Sequence, residues 1–261
     1  MIDNQDSLPV IQSLWIGGSL SVMEQLCIAS FLRNGHTFHL YTYGDVNNVP
    51  EGTIVKDAAE IISPDKIFKY KDRDTYAGFS NIFRYKLIYE KGNFWVDTDI
   101  ICLRPFDIKQ DYIFAGAQKR KFHGLFKNTF RAGSSVIKTP PGSEIMNYCY
   151  DVTSNKDSRE IVWGEIGPKF LESAVIKFGL QESVAYSGTF STVEWQNWYR
   201  FINGSLFVSW QERARIALYK SRSIHLFNEM WRLSGIDKNA QFPKRSIYEI
   251  LKRRYLNPAK Q

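Results

Sequence analysis

The sequence predicts an α/β fold, with helices layered on a sheet. Short apolar runs alternate with helix-period stretches through the first 150 residues. Glycines and capping residues punctuate the changeovers. At 261 residues, 44% hydrophobic and 15% aromatic, the chain suits one large domain or a domain with an appendage.

The elements follow in order. SLWIGG (13–18) reads as a buried strand ending in a glycine turn. SVMEQLCIASFLRNG (21–35) is a helix: Val22, Leu26, Ile28, Ala29 and Leu32 recur near 3.6 spacing, Ser21 and Glu24 form a capping box, and Gly35 stops it. TFHLYTYG (37–44) is a strand, and GTIVKDAAEII (52–62) opens with an extended piece. SNIFRYKLIYEKG (80–92) is a second helix, capped at Ser80 or Asn81 and stopped by Gly92. NFWVDTDIICL (93–103) is a strand; YIFAGAQ (112–118) and AGSSVIKT (132–139) are two more. Pro140 and Pro141 break the chain before a helix, SEIMNYCYDVTS (143–154). The second half is aromatic and irregular in pattern. Residues 1–240 are read as the main domain and 241–261 as a basic amphipathic helix.

Composition narrows the function classes. Cys27, Cys102 and Cys149 are widely spaced with no CxxC, which fits a reducing compartment better than a disulfide framework or a cysteine zinc site. No signal peptide or bilayer-spanning run is visible, so a cytoplasmic protein is expected. The NGS at 203–205 then reads as a turn. Net charge is +7, and +5 of it lies in residues 244–261. The charge sits in a tail rather than a groove, which argues against nucleic acid as partner.

The strand at 93–103 raises the chemical question. In a strand, residues two apart share a face, so Asp97 and Asp99 would project together, roughly 6.5–7 Å apart. Their repulsion costs about 2 kcal/mol at an effective dielectric near 20, and burial adds to it. A hard divalent cation, Mg²⁺ or Mn²⁺, relieves both penalties. The acids lie near the strand's carboxyl end, where α/β sheets bind ligands. The bland alternative has one Asp capping a turn and the other pairing with Arg104.

FSNIFRYKLIYEKGNFWVDTDIICLRPFD (79–107) resembles the signature of the DXD sugar-binding glycosyltransferases, glycosyltransferase family 32. That group contains yeast-type initiating mannosyltransferases and bacterial capsule and lipopolysaccharide enzymes. Residues 14–45, VKDAAEI (55–61), WGEIGPKFL (163–171) and IHLFNEMWR (224–232) resemble further family blocks, in family order.

The resemblance implies a GT-A fold, a Rossmann-like sheet binding a nucleotide sugar, with a divalent metal on the diphosphate and transfer with retention. It implies Asp99 as principal metal ligand and Asp97 on the sugar or ribose and the metal. Arg84 would reach the donor's sugar or phosphate, with Ser80 beside it. Trp15, Ile16 and Gly17 would border the base. His225 would complete the metal site or contact phosphate, with Asn228 and Glu229 as alternatives, and Trp231 is either a lid or packing. Glu165 and Glu194 are candidate acceptor-side carboxylates or plain surface acids. Two departures stand out: Gly92-Asn93 where the family has two glycines, and Asn81 where many members have Asp.

The favoured donor is a UDP-hexose or UDP-N-acetylhexosamine, with GDP-mannose open, and the acceptor a surface glycan or lipid-linked glycan. KRKFHGLFKNTFR (119–131) reads as an acceptor-facing basic loop or a solvated one. In SIYEILKRRYL (246–256), Ile247, Ile250, Leu251 and Tyr255 share a face and Lys252, Arg253 and Arg254 lie elsewhere. That helix is expected either to lie on an anionic membrane, making the protein peripheral, or to pack on the domain. Two other classes fit less well. A haloacid-dehalogenase hydrolase fits poorly, because its DxD comes early in the chain and is followed by Thr or Val where Ile101 stands here. For a nucleic-acid-binding protein no recognised module appears, and against a sugar-binding module without catalysis stands the intact DxD.

Overall fold

The structure, a computed structural model, describes residues 8–71, 73–116 and 131–256. Its centre is a six-stranded sheet in the order β3-β2-β1-β4-β7-β6. The strands are β1 (Ile11–Trp15), β2 (Phe38–Thr42), β3 (Ile54–Asp57), β4 (Asn93–Val96), β6 (Ile113–Gly116) and β7 (Ala132–Thr139). β3, β2, β1 and β4 run parallel; β7 runs against both β4 and β6. A second, two-stranded antiparallel sheet pairs β5 (Ile100–Cys102) with β8 (Ser223–His225). This is the mixed α/β layering expected of a GT-A fold.

Strand alternation divides the core in two. Ile11, Phe38, Leu40, Phe94 and Val96 point to one face, where they meet α1 (Val22–Arg33), the two-stranded sheet and α8 (Ile247–Tyr255). Leu14, Tyr41, Trp95 and Ile137 point to the other, packing on α2 (Ala77–Lys91), α3 (Glu144–Ser154) and α4 (Pro168–Lys177). The remaining helices are α5 (Ser187–Phe190), α6 (Leu206–Leu218) and α7 (Asn228–Leu233). Past β7 the described elements are helices apart from β8, with a 3₁₀ segment at Trp195–Phe201.

Local chemistry explains most boundaries. α1 carries the expected capping box: Ser21 Oγ accepts from Met23 N at 3.2 Å and Glu24 accepts from Ser21 N at 2.8 Å. α2 begins earlier than Ser80; its N-cap is Tyr76, and Thr75 Oγ1 accepts from Ala77 N at 3.3 Å. Ser80 and Asn81 therefore sit inside the helix rather than capping it. Gly92 ends α2 at φ 61°, ψ −152°, and Asn93 follows at φ 66°, so asparagine does tolerate the second position of that turn.

One expectation is corrected. β4 stops at Val96, so Asp97 and Asp99 do not lie within a strand. They occupy a tight turn in which Ile100 N donates to Asp97 O at 3.0 Å, carrying the chain from the large sheet into the small one. Of the two alternatives for the C-terminal helix, the described part takes the second and packs on the domain: Ile247, Tyr248, Leu251 and Tyr255 are buried in the same cluster as α1. Arg33 Nε donates to Tyr255 O at 2.7 Å, closing that contact. The apolar face offered to a membrane is spent in the core. The basic stretch 119–130, the last residues of the 112–118 strand and the tail beyond 256 lie outside the described residues.

Candidate active site

The four parallel strands end at one edge of the sheet. Between β1 and β4 the chain order reverses direction, the position at which open α/β sheets bind ligands. The Asp97–Asp99 turn leaves β4 at this switch point. Asp97 N donates to Ser135 O of β7 at 2.9 Å, which anchors the turn to the sheet.

Each carboxylate is held from a different sheet. Asp97 Oδ1 accepts from Trp95 Nε1 at 2.9 Å and pairs with Arg84 Nη2 at 3.1 Å. Asp99 Oδ2 accepts from the main-chain N–H of Asn228 at 2.8 Å and meets His225 Nε2 at 3.2 Å. β5–β8 pairing brings His225 there, because Ile100 and His225 are register partners, and Leu226 N donates to Asp99 O at 3.0 Å. Phe227, in the left-handed region at φ 59°, stacks its ring on the imidazole with centroids 4.1 Å apart. One ligand atom from each of Asp97, Asp99 and His225 lies within 4.8 Å of the others. Asp99 Oδ1 is buried and has no hydrogen-bond partner.

Electrostatics follow from this crowding. Burial raises the Asp97 pKa; Arg84 opposes that, while Asp99 adds to it, and the net direction is upward. Burial acts on Asp99 in the same sense, but His225, the Asn228 N–H and Lys238 outweigh it and hold this carboxyl below its usual range. Burial alone would lower His225, yet the two aspartates raise it. The site thus favours positive charge beside Asp99.

The other expected residues divide. Arg84 is buried on α2: it donates to Ser134 O at 2.5 Å and to Ser80 O and Oγ at 3.3 Å each, and it lies 4.9 Å from the Trp95 ring centroid. Its guanidinium is committed to the protein, so here it positions Asp97 rather than reaching outward to a donor. Asn81 is buried against Gly167, where an added Cβ would stand 3.3 Å from Asn81 Nδ2. Half-buried Trp15 ends β1, and half-buried Ile16 and exposed Gly17 follow it. Trp15 Nε1 is buried without a partner. Asn228 contributes its main chain to Asp99, while its side chain accepts from Lys238 at 3.1 Å. Glu229 pairs with Arg232 at 2.7 Å and Arg73 at 3.5 Å. Glu165 pairs with Lys156 at 2.5 Å and accepts from Val162 N. Trp231 is no lid: it is fully buried among Trp198, Phe242 and Tyr248, and its Nε1 donates to Leu226 O at 2.9 Å.

Sequence reasoning missed Lys238 and Trp95. Lys238 Nζ donates to buried Glu24 at 2.5 Å and stands 5.6 Å from the Trp15 ring centroid. It joins the end of β1, the start of α1 and α7. No local motif marks it, since only the fold brings 238 to 24. Trp95 reads as strand core, which it is, but its indole N–H also fixes Asp97. A cleft of about 440 Å³ opens on the same sheet edge, lined by the last residues of β2 and β3 and the one after β2: Thr42, Tyr43, Lys56 and Asp57. None of the carboxylate cluster lines it.

Residues 23–115 match the family model described as the glycosyltransferase sugar-binding region containing a DXD motif. That segment runs from α1 through both aspartates to β6. No curated protein matches the chain. Similar solved structures include the PaToxG glycosyltransferase, at 11% identity, covering 96% of this chain and 87% of that one, with TM-score 0.47. The apo form of the glycosyltransferase GlyE of Streptococcus pneumoniae TIGR4 is 14% identical, with coverage of 96% and 61% and TM-score 0.45. The UDP-bound glycosyltransferase domain from the YGT toxin is 11% identical, with coverage of 94% and 82% and TM-score 0.36.

Proposed function

We propose that the protein is a metal-dependent glycosyltransferase moving a sugar, with retention, from a nucleotide-sugar donor to a surface-glycan acceptor. The observation that carries this reading is the Asp97–Asp99–His225 cluster, whose buried Asp99 Oδ1 lacks a partner. Two carboxylates and an imidazole suit Mn²⁺, and the carboxylates suit Mg²⁺. A lone carboxylate oxygen buried without a donor is costly, and a cation satisfies it. Bound there, a divalent ion would offset the negative charge that grows on the donor's diphosphate as the sugar–phosphate bond breaks.

The chain's own groups do the rest. Arg84 and Trp95 fix the Asp97 carboxylate, and the Asn228 N–H fixes one oxygen of Asp99, leaving the other free to bind. Lys238 places a second positive charge near the cluster, suited to a phosphate oxygen. The half-buried Trp15 indole offers a flat face to a nucleobase at the end of β1. The favoured donors are a UDP-hexose or a UDP-N-acetylhexosamine, and the favoured acceptors are glycans of the capsule or lipopolysaccharide type, as the sequence resemblance implies.

Asp99→Asn tests the reading. The variant keeps the carboxylate's shape and fold but removes its charge. Mn²⁺-dependent thermal stabilisation by UDP-sugars should disappear. Donor turnover should fall by more than the roughly hundredfold that loss of an outer-shell partner costs. Unchanged turnover and an unchanged Mn²⁺ response would reject the assignment.

A further inference from the structure

α6 (Leu206–Leu218) is amphipathic in the reverse of the usual sense. Its buried residues are Ser209 and Glu212. Glu212, completely buried, takes Arg200 Nε at 2.5 Å and Arg215 Nη1 at 3.1 Å. The outward face is apolar: Leu206, Phe207, Trp210 and Leu218 are 61%, 64%, 67% and 76% exposed. Ala214 and Ala217 continue the same stripe at helical spacing. The inward ion pair fixes the helix's rotation, so the apolar face cannot be turned into the core without unpairing a buried carboxylate.

The surrounding surface extends the stripe. The Phe207 and Trp210 rings stack, with centroids 6.4 Å apart. Trp195 and Tyr199, on the 3₁₀ segment that packs on α6, and Tyr219, just past its end, are also exposed. Among the described residues fourteen large apolar or aromatic side chains are exposed, and eight of them fall between Tyr186 and Tyr219. A concentration of this kind marks an interaction surface, whereas scattered exposed apolar residues do not.

Charge identifies the occupant. Between residues 194 and 222 lie five basic residues and two acids. Arg200 and Arg215 pair with the buried Glu212 and Arg222 pairs with Asp107, which leaves Arg213 and Lys220 as the cations offered to the surface, with Glu194 exposed at its edge. Arg213 and Lys220 are exposed on or beside the stripe. α8 packs on α6 and exposes Arg253 and Arg254, with Lys244 and Arg245 just ahead of it. A helix about 20 Å long, with Trp, Phe and Leu on one side and a basic border, has the chemistry of an interfacial helix. Tyr and Trp at the margins favour the headgroup layer.

We infer that α6 lies flat on an anionic phospholipid surface. Leu206, Phe207, Trp210 and Leu218 seat at the headgroup–acyl boundary, while Arg213 and Lys220 meet lipid phosphates. The membrane contact expected of the C-terminal helix is thereby moved to α6, with α8 supplying only charge. The inference stands apart from the carboxylate site and needs neither donor nor cation.

Flotation of the full chain with vesicles tests it. The protein should rise with phosphatidylcholine–phosphatidylglycerol vesicles and stay down with phosphatidylcholine alone. Phe207→Ala/Trp210→Ala should weaken binding about tenfold or more. Arg213→Gln/Lys220→Gln should weaken it about fivefold per charge at low salt, and less as salt rises. All four positions are exposed, so each variant should retain the parent's melting temperature. Failure of the parent to float with the anionic vesicles would overturn the inference, as would equal flotation of the Phe207→Ala/Trp210→Ala variant. It would also fall if the parent were a dimer that this variant dissociates, since the stripe would then face a second copy.

Discussion

Arg84 reaches Asp97 from α2, and His225 reaches Asp99 from the two-stranded sheet, so each carboxylate has its own counter-charge on opposite sides of one turn. The consequence for Arg84 is measurable. Arg84→Met should lower unfolding free energy by about 3 kcal/mol, because it leaves Asp97 partly buried beside another carboxylate with no cation. Adding Asp97→Asn in the same chain should recover much of that loss, since the pair is then removed rather than broken. Urea midpoints for the two single variants and the double variant measure the coupling directly. Purely additive losses would show that Arg84 acts through its bonds to Ser80 and Ser134 and its packing on Trp95, not through Asp97.

At the scale of elements, Gly92 joins α2 to β4 and sets where the turn begins. At φ 61°, ψ −152° it occupies backbone space closed to residues with a Cβ. An added Cβ would also stand 2.6 Å from Pro141 Cδ and 2.8 Å from Pro141 N. Gly92→Ala should therefore cost about 2–3 kcal/mol, read as a shifted urea midpoint at unchanged slope. The elements also show what was legible in advance. The Ser21–Glu24 box, the glycine stops and the strand at 132–139 are governed by neighbours in sequence, and local chemistry settled them. The start of α2 was misread because Ser80 and Asn81 look like caps, but Ser80 accepts from Arg84 and Asn81 packs beside Gly167 from inside the helix. The two aspartates looked like a strand pair because the apolar run continues past them. It continues because Ile100–Cys102 is buried too, in a different sheet. His225 drew attention only through its resemblance block, and Lys238 had no local signal, because both reach the site through long-range pairing.

Across the whole molecule, two apolar clusters sandwich the large sheet, and α8 completes one of them. Deleting residues 247–261 would strip Ile247, Tyr248, Leu251 and Tyr255 from beside α1 and Trp231. The truncated chain should lose cooperative thermal unfolding or accumulate as insoluble protein, since such a loss exceeds the margin of a typical domain. Tyr248→Ala alone should cost about 3 kcal/mol by chemical denaturation. A fully soluble, cooperatively melting truncation would make the C-terminal helix an accessory rather than a structural part. The amphipathic pattern of α8 was legible, but its partner was not: an apolar face gives the same signal whether it covers lipid or protein. α6 has no comparable signal, because Trp and Phe at helical spacing look the same whether they face core or solvent, and the burial of Glu212 shows which way the helix faces.

The turn at 97–99 is also a seam. Upstream of it the chain belongs to the six-stranded sheet, and downstream it pairs with the segment carrying His225. Whatever grips both aspartates and that imidazole at once works as a rivet between two independently woven fabrics. If the proposed cation binds there, it would add a second tie, beside the shared apolar cluster, between the segment carrying His225 and the end of β4.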